Sequence, residues 1–170
     1  MRTILIATVT VALLLSGCSQ NAPDPRSVVT ADPNVPKPDS PLPDNAHRAE
    51  LNLSEPLTTL KPGEKKTINV KVRNASNVLW IVYGTGPGVK YRVAVGNSWL
   101  DSKGELITSM DGRIGLPANL SPGQEVVVPL LITGPQQRGD YILELDMVHE
   151  GVTWFKEKGS QVARFNVKVD

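Results

Sequence analysis

Along most of this chain apolar side chains fall on every second residue, a spacing that a β-strand satisfies and an α-helix does not. Ile68, Val70 and Val72 share one strand face, and Tyr91, Val93 and Val95 share a second that Trp99 continues. Val126, Val128, Leu130 and Ile132 form a third. Tyr141, Leu143, Leu145 and Met147 form a fourth, and Ala163, Phe165, Val167 and Val169 a fifth. Shorter strands are expected at Leu51–Leu53, Val78–Tyr83, Glu105–Thr108 and Val152–Phe155, giving about eight or nine in all.

The connections carry turn chemistry. Pro62-Gly63, Pro122-Gly123, Asp101-Ser102-Lys103-Gly104, Asp111-Gly112 and Glu150-Gly151 supply fixed or positive φ where an antiparallel chain reverses. Leu60-Lys61-Pro62-Gly63-Glu64 and Leu120-Ser121-Pro122-Gly123-Gln124 are near-copies, read as one turn used at equivalent corners of two sheets. Many short strands with such turns between them predict an all-β, immunoglobulin-like antiparallel β-sandwich over residues 50–170. The chain's single cysteine, Cys18, excludes an internal disulfide, so packing alone must hold the sheets.

Residues 1–49 have a different character. Arg2 precedes an apolar run from Ile4 to Leu15, interrupted only by Thr8 and Thr10 and short for a permanent membrane span. Leu15-Ser16-Gly17-Cys18 follows at once and resembles the lipobox of bacterial lipoproteins. That resemblance implies a signal peptide, residues 1–17, removed before Cys18, and a lipid on Cys18 that tethers the chain to a membrane. Ser19 stands where lipoprotein sorting in enteric bacteria uses Asp for inner-membrane retention, which implies the outer membrane, facing the periplasm or the surface. Residues 18–49 hold prolines at 23, 25, 33, 36, 38, 41 and 43 and few large apolar side chains, the composition of an extended, disordered linker.

Within the sandwich region, Asn74-Ala75-Ser76-Asn77-Val78-Leu79-Trp80, Trp99-Leu100-Asp101, Gly112-Arg113, Leu116-Pro117 and Gly139-Asp140-Tyr141-Ile142-Leu143 succeed one another. Asp146-Met147-Val148-His149-Glu150-Gly151 and Trp154-Phe155 complete the series. It resembles the immunoglobulin-like modules appended to bacterial glycosyltransferases and methyltransferases of surface-polysaccharide synthesis. More distantly, it is similar to the carbohydrate-binding domain of polysaccharide ABC transporters. The resemblance implies a fold and a binding role.

A sugar-binding face needs aromatic rings for the C–H faces of pyranoses and polar groups for their hydroxyls. Trp80, Trp99 and Trp154 are the candidates for the first, with core packing as the competing role; His149 and Glu150, at the Glu150-Gly151 turn, are candidates for the second. Glu144, Asp146 and, beyond Val148, Glu150 share the parity opposite the Tyr141 to Met147 face, where alternation alone predicts solvated polar residues; an acid–base pair for glycoside cleavage is the minor alternative. His149 is the module's only histidine and His47 lies in the linker, so neither a metal site nor a serine-hydrolase triad is expected. Gly84-Thr85-Gly86-Pro87-Gly88 lacks the Lys-Ser/Thr ending of a phosphate loop and reads as a flexible connection. With 18 basic against 17 acidic residues no overall field draws the chain to nucleic acid. The sequence thus predicts a non-enzymatic, cofactor-free lipoprotein of the cell envelope. Its module is expected to bind a surface polysaccharide or an envelope protein, or else to serve as a structural accessory.

Overall fold

The computed structural model describes residues 40–82 and 89–170. Cys18, the lipobox, most of the linker and the Gly84–Gly88 segment lie outside the described residues. The described chain is an immunoglobulin-like β-sandwich. Its strands are β1 (Ala49–Leu53), β2 (Thr59–Leu60), β3 (Lys65–Asn74), β4 (Val93–Asp101), β5 (Leu106–Gly115), β6 (Glu125–Thr133), β7 (Gly139–His149), β8 (Thr153–Trp154) and β9 (Ala163–Val169). One sheet has the order β1-β3-β6 and the other β2-β9-β7-β4-β5, with β8 added to β7. Every pairing is antiparallel except that of β2 with β9.

The alternation read from the sequence is the core. Ile68, Val70 and Val72 of β3 and Val128, Leu130 and Ile132 of β6 face Val93, Val95 and Trp99 of β4 and Leu143, Leu145 and Met147 of β7 across the sandwich. Full burial of side chains of this size is worth about 1.5–3 kcal/mol each, which is how the sheets hold without a disulfide. Trp99 also ties the sheets by a polar bond, its Nε1–H donating to the Thr133 carbonyl at 2.8 Å. At the start of β7 the Tyr141 hydroxyl donates back to the Gln137 carbonyl at 2.9 Å, the tyrosine corner of immunoglobulin-like sandwiches.

The twin turns are the same device twice. Pro62 and Pro122 set φ, and Gly63 and Gly123 take positive φ, 67° and 77°. The next side chain reaches back in each: Glu64 Oε2 accepts from Lys61 N–H at 2.8 Å and Gln124 Oε1 from Ser121 N–H at 2.9 Å. They lead into β3 and β6, neighbours in one sheet, and so do not sit at corners of two sheets as the sequence suggested.

Asn74 joins the second of these turns to the corner that follows β3. Its side chain is fully buried, donating Nδ2–H to the Val78 and Leu120 carbonyls and accepting at Oδ1 from Ser76 N–H and Oγ–H. Its backbone bonds Gln124 O and Gly123 N. Such a satisfied buried amide is costly to remove because each partner loses its bond at once.

Several local expectations are corrected. Of the strand expected at Val78–Tyr83, residues 78–82 are not a strand and Tyr83 lies outside the described residues: Trp80 forms an isolated bridge to Leu120 and fills the end of the core. Tyr91 is not in β4 but in the turn before it, at φ 62°, the left-handed region. Asp111-Gly112 is no turn; both lie inside β5, which runs well past Thr108. The Val152–Phe155 strand shrinks to β8 and a helical turn, Phe155–Lys158, and β2 was not foreseen.

Candidate functional site: the outer face of the larger sheet

Residues of β7 that alternation assigned to solvent are instead covered. Glu144 and Asp146 are each only 3 % exposed, because β7 is a central strand and its outer face lies beneath Trp154 and the Phe155–Lys158 turn. Glu144 accepts from Lys156 Nζ at 2.8 Å and from Arg164 Nε and Nη2 at 2.9 and 2.8 Å. Burial pushes this carboxyl up, but the two cations outweigh it and hold the group below its ordinary range. Asp146 has no cation bonded to it. Burial raises it to about 6 against the opposing N–H donors of Met147 and Lys156. Two adjacent carboxyls on one strand face therefore differ in charge state in mildly acidic solution.

The third carboxylate, Glu150, is half-buried just beyond β7. It takes Arg113 Nη1 at 2.7 Å and Arg92 Nη2 at 3.3 Å. Arg113 in turn lies over the Trp154 ring, 5.3 Å from its centroid. The ring tip rests on Gly96 of β4, where a Cβ would come within 2.8 Å of Trp154 Cη2. Glycine at 96 is thus what lets the indole lie down on the sheet. Beside this cluster an open groove is lined by Glu144, Lys156, Ser160, Gln161, Val162 and Arg164.

The three tryptophans separate cleanly. Trp80 is 0 % exposed, with its Nε1–H bonded to the Ala46 carbonyl and its ring edge-on to Phe155; Trp99 is 1 % exposed. Both are core residues and offer no face to a sugar in this conformation. Trp154 alone reaches the surface. His149 is also buried, on the inner side of β7, away from the groove and from the surface role the sequence suggested for it.

His149 meets a partner that sequence reasoning had left in the linker. Leu42, Ala46, His47 and Ala49 are buried against the end of the sandwich, so the folded part begins before Glu50 and the linker's last residues belong to it. His47 Nε2 lies 3.1 Å from His149 Nδ1. Burial lowers both imidazoles; His149, further disfavoured by His47, falls to about 4. Among the described residues no three His, Cys, Asp or Glu side chains converge as metal ligands.

No family model matches the chain, and no curated protein matches it. Among solved structures, the CARDB domain of a Pyrococcus furiosus protein in complex with di-metal ions overlaps 72 % of this chain and 90 % of its own, at 18 % identity and a TM-score of 0.42. A mutant β-glucosidase from Listeria innocua in complex with laminaribiose overlaps 72 % of this chain at 17 % identity and a TM-score of 0.44, and the overlap spans 16 % of that enzyme. The Bacillus subtilis sporulation control protein Spo0M overlaps 72 % of this chain and 49 % of its own, at 13 % identity and a TM-score of 0.40. Function at this distance rests on the residues of this chain.

Proposed function

We propose that this chain is an envelope lipoprotein, anchored through Cys18, whose sandwich is a non-enzymatic binding module for a surface glycan or an envelope protein. The observation that carries the binding role is Trp154, a partly exposed indole beneath the Arg113 guanidinium, which Glu150 holds together with Arg92. An aromatic ring beside ordered charged donors and acceptors suits a ligand with both C–H faces and hydroxyl or anionic groups. Burial and these bonds argue against glycoside cleavage: Glu144 is neutralised by two cations, and Asp146, although raised to about 6, is 3 % exposed with both oxygens on backbone N–H groups, so neither reaches a substrate.

Two experiments test this. On an array of neutral and acidic envelope polysaccharides, Trp154→Ala is expected to weaken binding roughly tenfold with the circular dichroism spectrum intact. Unchanged binding would remove the outer face from the proposal. Metabolic labelling with a palmitate analogue is expected to mark the wild type and miss Cys18→Ala; equal labelling of both overturns the anchor.

A further inference from the structure

The hydrogen bonds around the histidine pair fix both tautomers. Leu42 N–H points at His149 Nε2, 3.5 Å away, so that nitrogen accepts and the ring proton sits on Nδ1. His149 Nδ1–H then donates to His47 Nε2 at 3.1 Å, which leaves His47 its proton on Nδ1, directed at the Asp44 carbonyl 3.3 Å away. Three bonds thus run in one direction, from Leu42 through both rings to Asp44, and they form only if both imidazoles are neutral.

Protonation of either ring breaks the chain. A proton on His149 Nε2 faces the Leu42 N–H, donor against donor; a proton on His47 Nε2 faces His149 Nδ1–H in the same way. Two cations this close would also repel one another, and among the described residues no carboxylate is bonded to either ring. From the segment itself, Asp44 is engaged with Lys158 at 3.0 Å, a bond that keeps it ionised in mild acid, and Arg48 bonds the His47 and Lys158 carbonyls. From the helical turn, Phe155 packs edge-on to His47, and Lys158 adds a further positive charge. From the turn before β4, the Tyr91 ring lies 5.9 Å from His149. Glu150, next to His149 in sequence, is held by Arg92 and Arg113. Glu144 and Asp146 lie on the opposite face of β7.

We propose that Leu42–Arg48 is an acid-labile clasp, fastened to the end of the sandwich by this relay of neutral imidazoles and released as a unit when they are protonated. Burial sets the release below the ordinary histidine range, so the clasp is closed at neutral pH. Release withdraws Ala46 from Trp80, freeing the indole N–H and uncovering Phe155. It also returns these residues to the linker, adding about 20 Å to its reach at about 3 Å per residue.

The test is hydrogen exchange on the full chain in detergent micelles, corrected for intrinsic rates, together with 15N spectra of the imidazoles. Near neutral pH both rings are expected as Nδ1–H tautomers. Towards about pH 4.5 the amides of residues 42–48 and the Trp80 indole are expected to lose protection roughly 100-fold while those of β3 and β6 keep theirs. In the double variant His47→Gln/His149→Gln each amide can accept and donate in the same directions without titrating, and the acid transition should disappear. Either ring as the Nε2–H tautomer, segment protection persisting through acid, or β3 and β6 opening together with the segment would each overturn the clasp. An acid transition surviving in a folded double variant would do the same. If that variant fails to fold, the wild-type tautomers and exchange decide alone.

Discussion

Replacing Gly112 with alanine is expected to cost about 3 kcal/mol or more, the upper range for forcing atoms into a packed interior. Between Gly96 and Ser98 the β4–β5 register shifts, and the extra residues of β5 bulge towards β6. There Gly112 N–H donates to buried Asn97 Oδ1 at 2.7 Å, and Asp111 Oδ2 accepts from Thr133 N–H at 2.5 Å. A Cβ on residue 112 would overlap the Leu131 carbonyl oxygen and press on Asn97 Oδ1. The obstructing atom is backbone of a strand paired along its length with β3, so it has no rotamer to yield. Two other glycines calibrate the effect. Gly96→Ala meets the movable tip of Trp154 and should cost less, while Gly104→Ala meets nothing within 4 Å and bears only the strain of φ 89°, about 1–2 kcal/mol. Urea-melt midpoints should rank them with Gly112→Ala lowest; a Gly112→Ala no weaker than Gly104→Ala would mean the bulge can open without loss.

The second large effect is in pH dependence, where two buried groups oppose each other. His149, lowered from 6.5 to about 4, binds fewer protons folded than unfolded. Its contribution is fully present above pH 6.5 and lost as pH falls towards 4, by about 3 kcal/mol or until the segment bearing His47 lets go. Asp146, raised from 3.8 to about 6, binds more protons folded than unfolded. Its contribution is present below 3.8 and lost as pH rises through 6, again by about 3 kcal/mol. The windows overlap and the signs are opposite, so these two terms nearly cancel in the wild type. Asp146→Asn should unmask a steep fall in stability between about pH 6.5 and 4, and His149→Gln should give a protein that gains stability over the same descent. Denaturant midpoints across this range measure both. Profiles of the two variants that parallel each other would refute the compensation.

These expectations also show what alternation can and cannot convey. The long strands β3, β4, β6, β7 and β9 were legible because one face of each meets the core and side chains keep a strict period of two. β5 was cut short because its bulge breaks that period, and Asp111-Gly112, chosen for a close approach to β6, has the composition of a turn. Trp80 suggested a strand because its neighbours are apolar on both parities, the pattern of a plug as much as of a ladder. Glu144 and Asp146 read as solvated because sequence shows that a side chain points away from the core, not what covers it from outside. The histidine relay was hidden most deeply. His47 and His149 stand 102 residues apart, one of them in a proline-rich stretch with no periodicity to mark it as folded. Of the candidate site, Trp154 and Glu150 were legible as polar and aromatic residues of one hairpin; their partners Arg92 and Arg113 come from the turn before β4 and from β5, distant in sequence.

The buried Asn74 has a further consequence. An alternating strand can slide past its neighbour by two residues and still present every valine inward, so apolar burial is a ruler without a zero mark. Along β3 and β6 the partners Val72↔Val126, Val70↔Val128 and Ile68↔Leu130 would become equally apolar pairs after such a slip. Asn74 sits two residues beyond the last of these pairings, with its backbone on Gly123 and Gln124 and its amide on Leu120. Those bonds exist at one offset alone. The asparagine is the zero mark, choosing the alignment that the hydrophobic effect leaves degenerate.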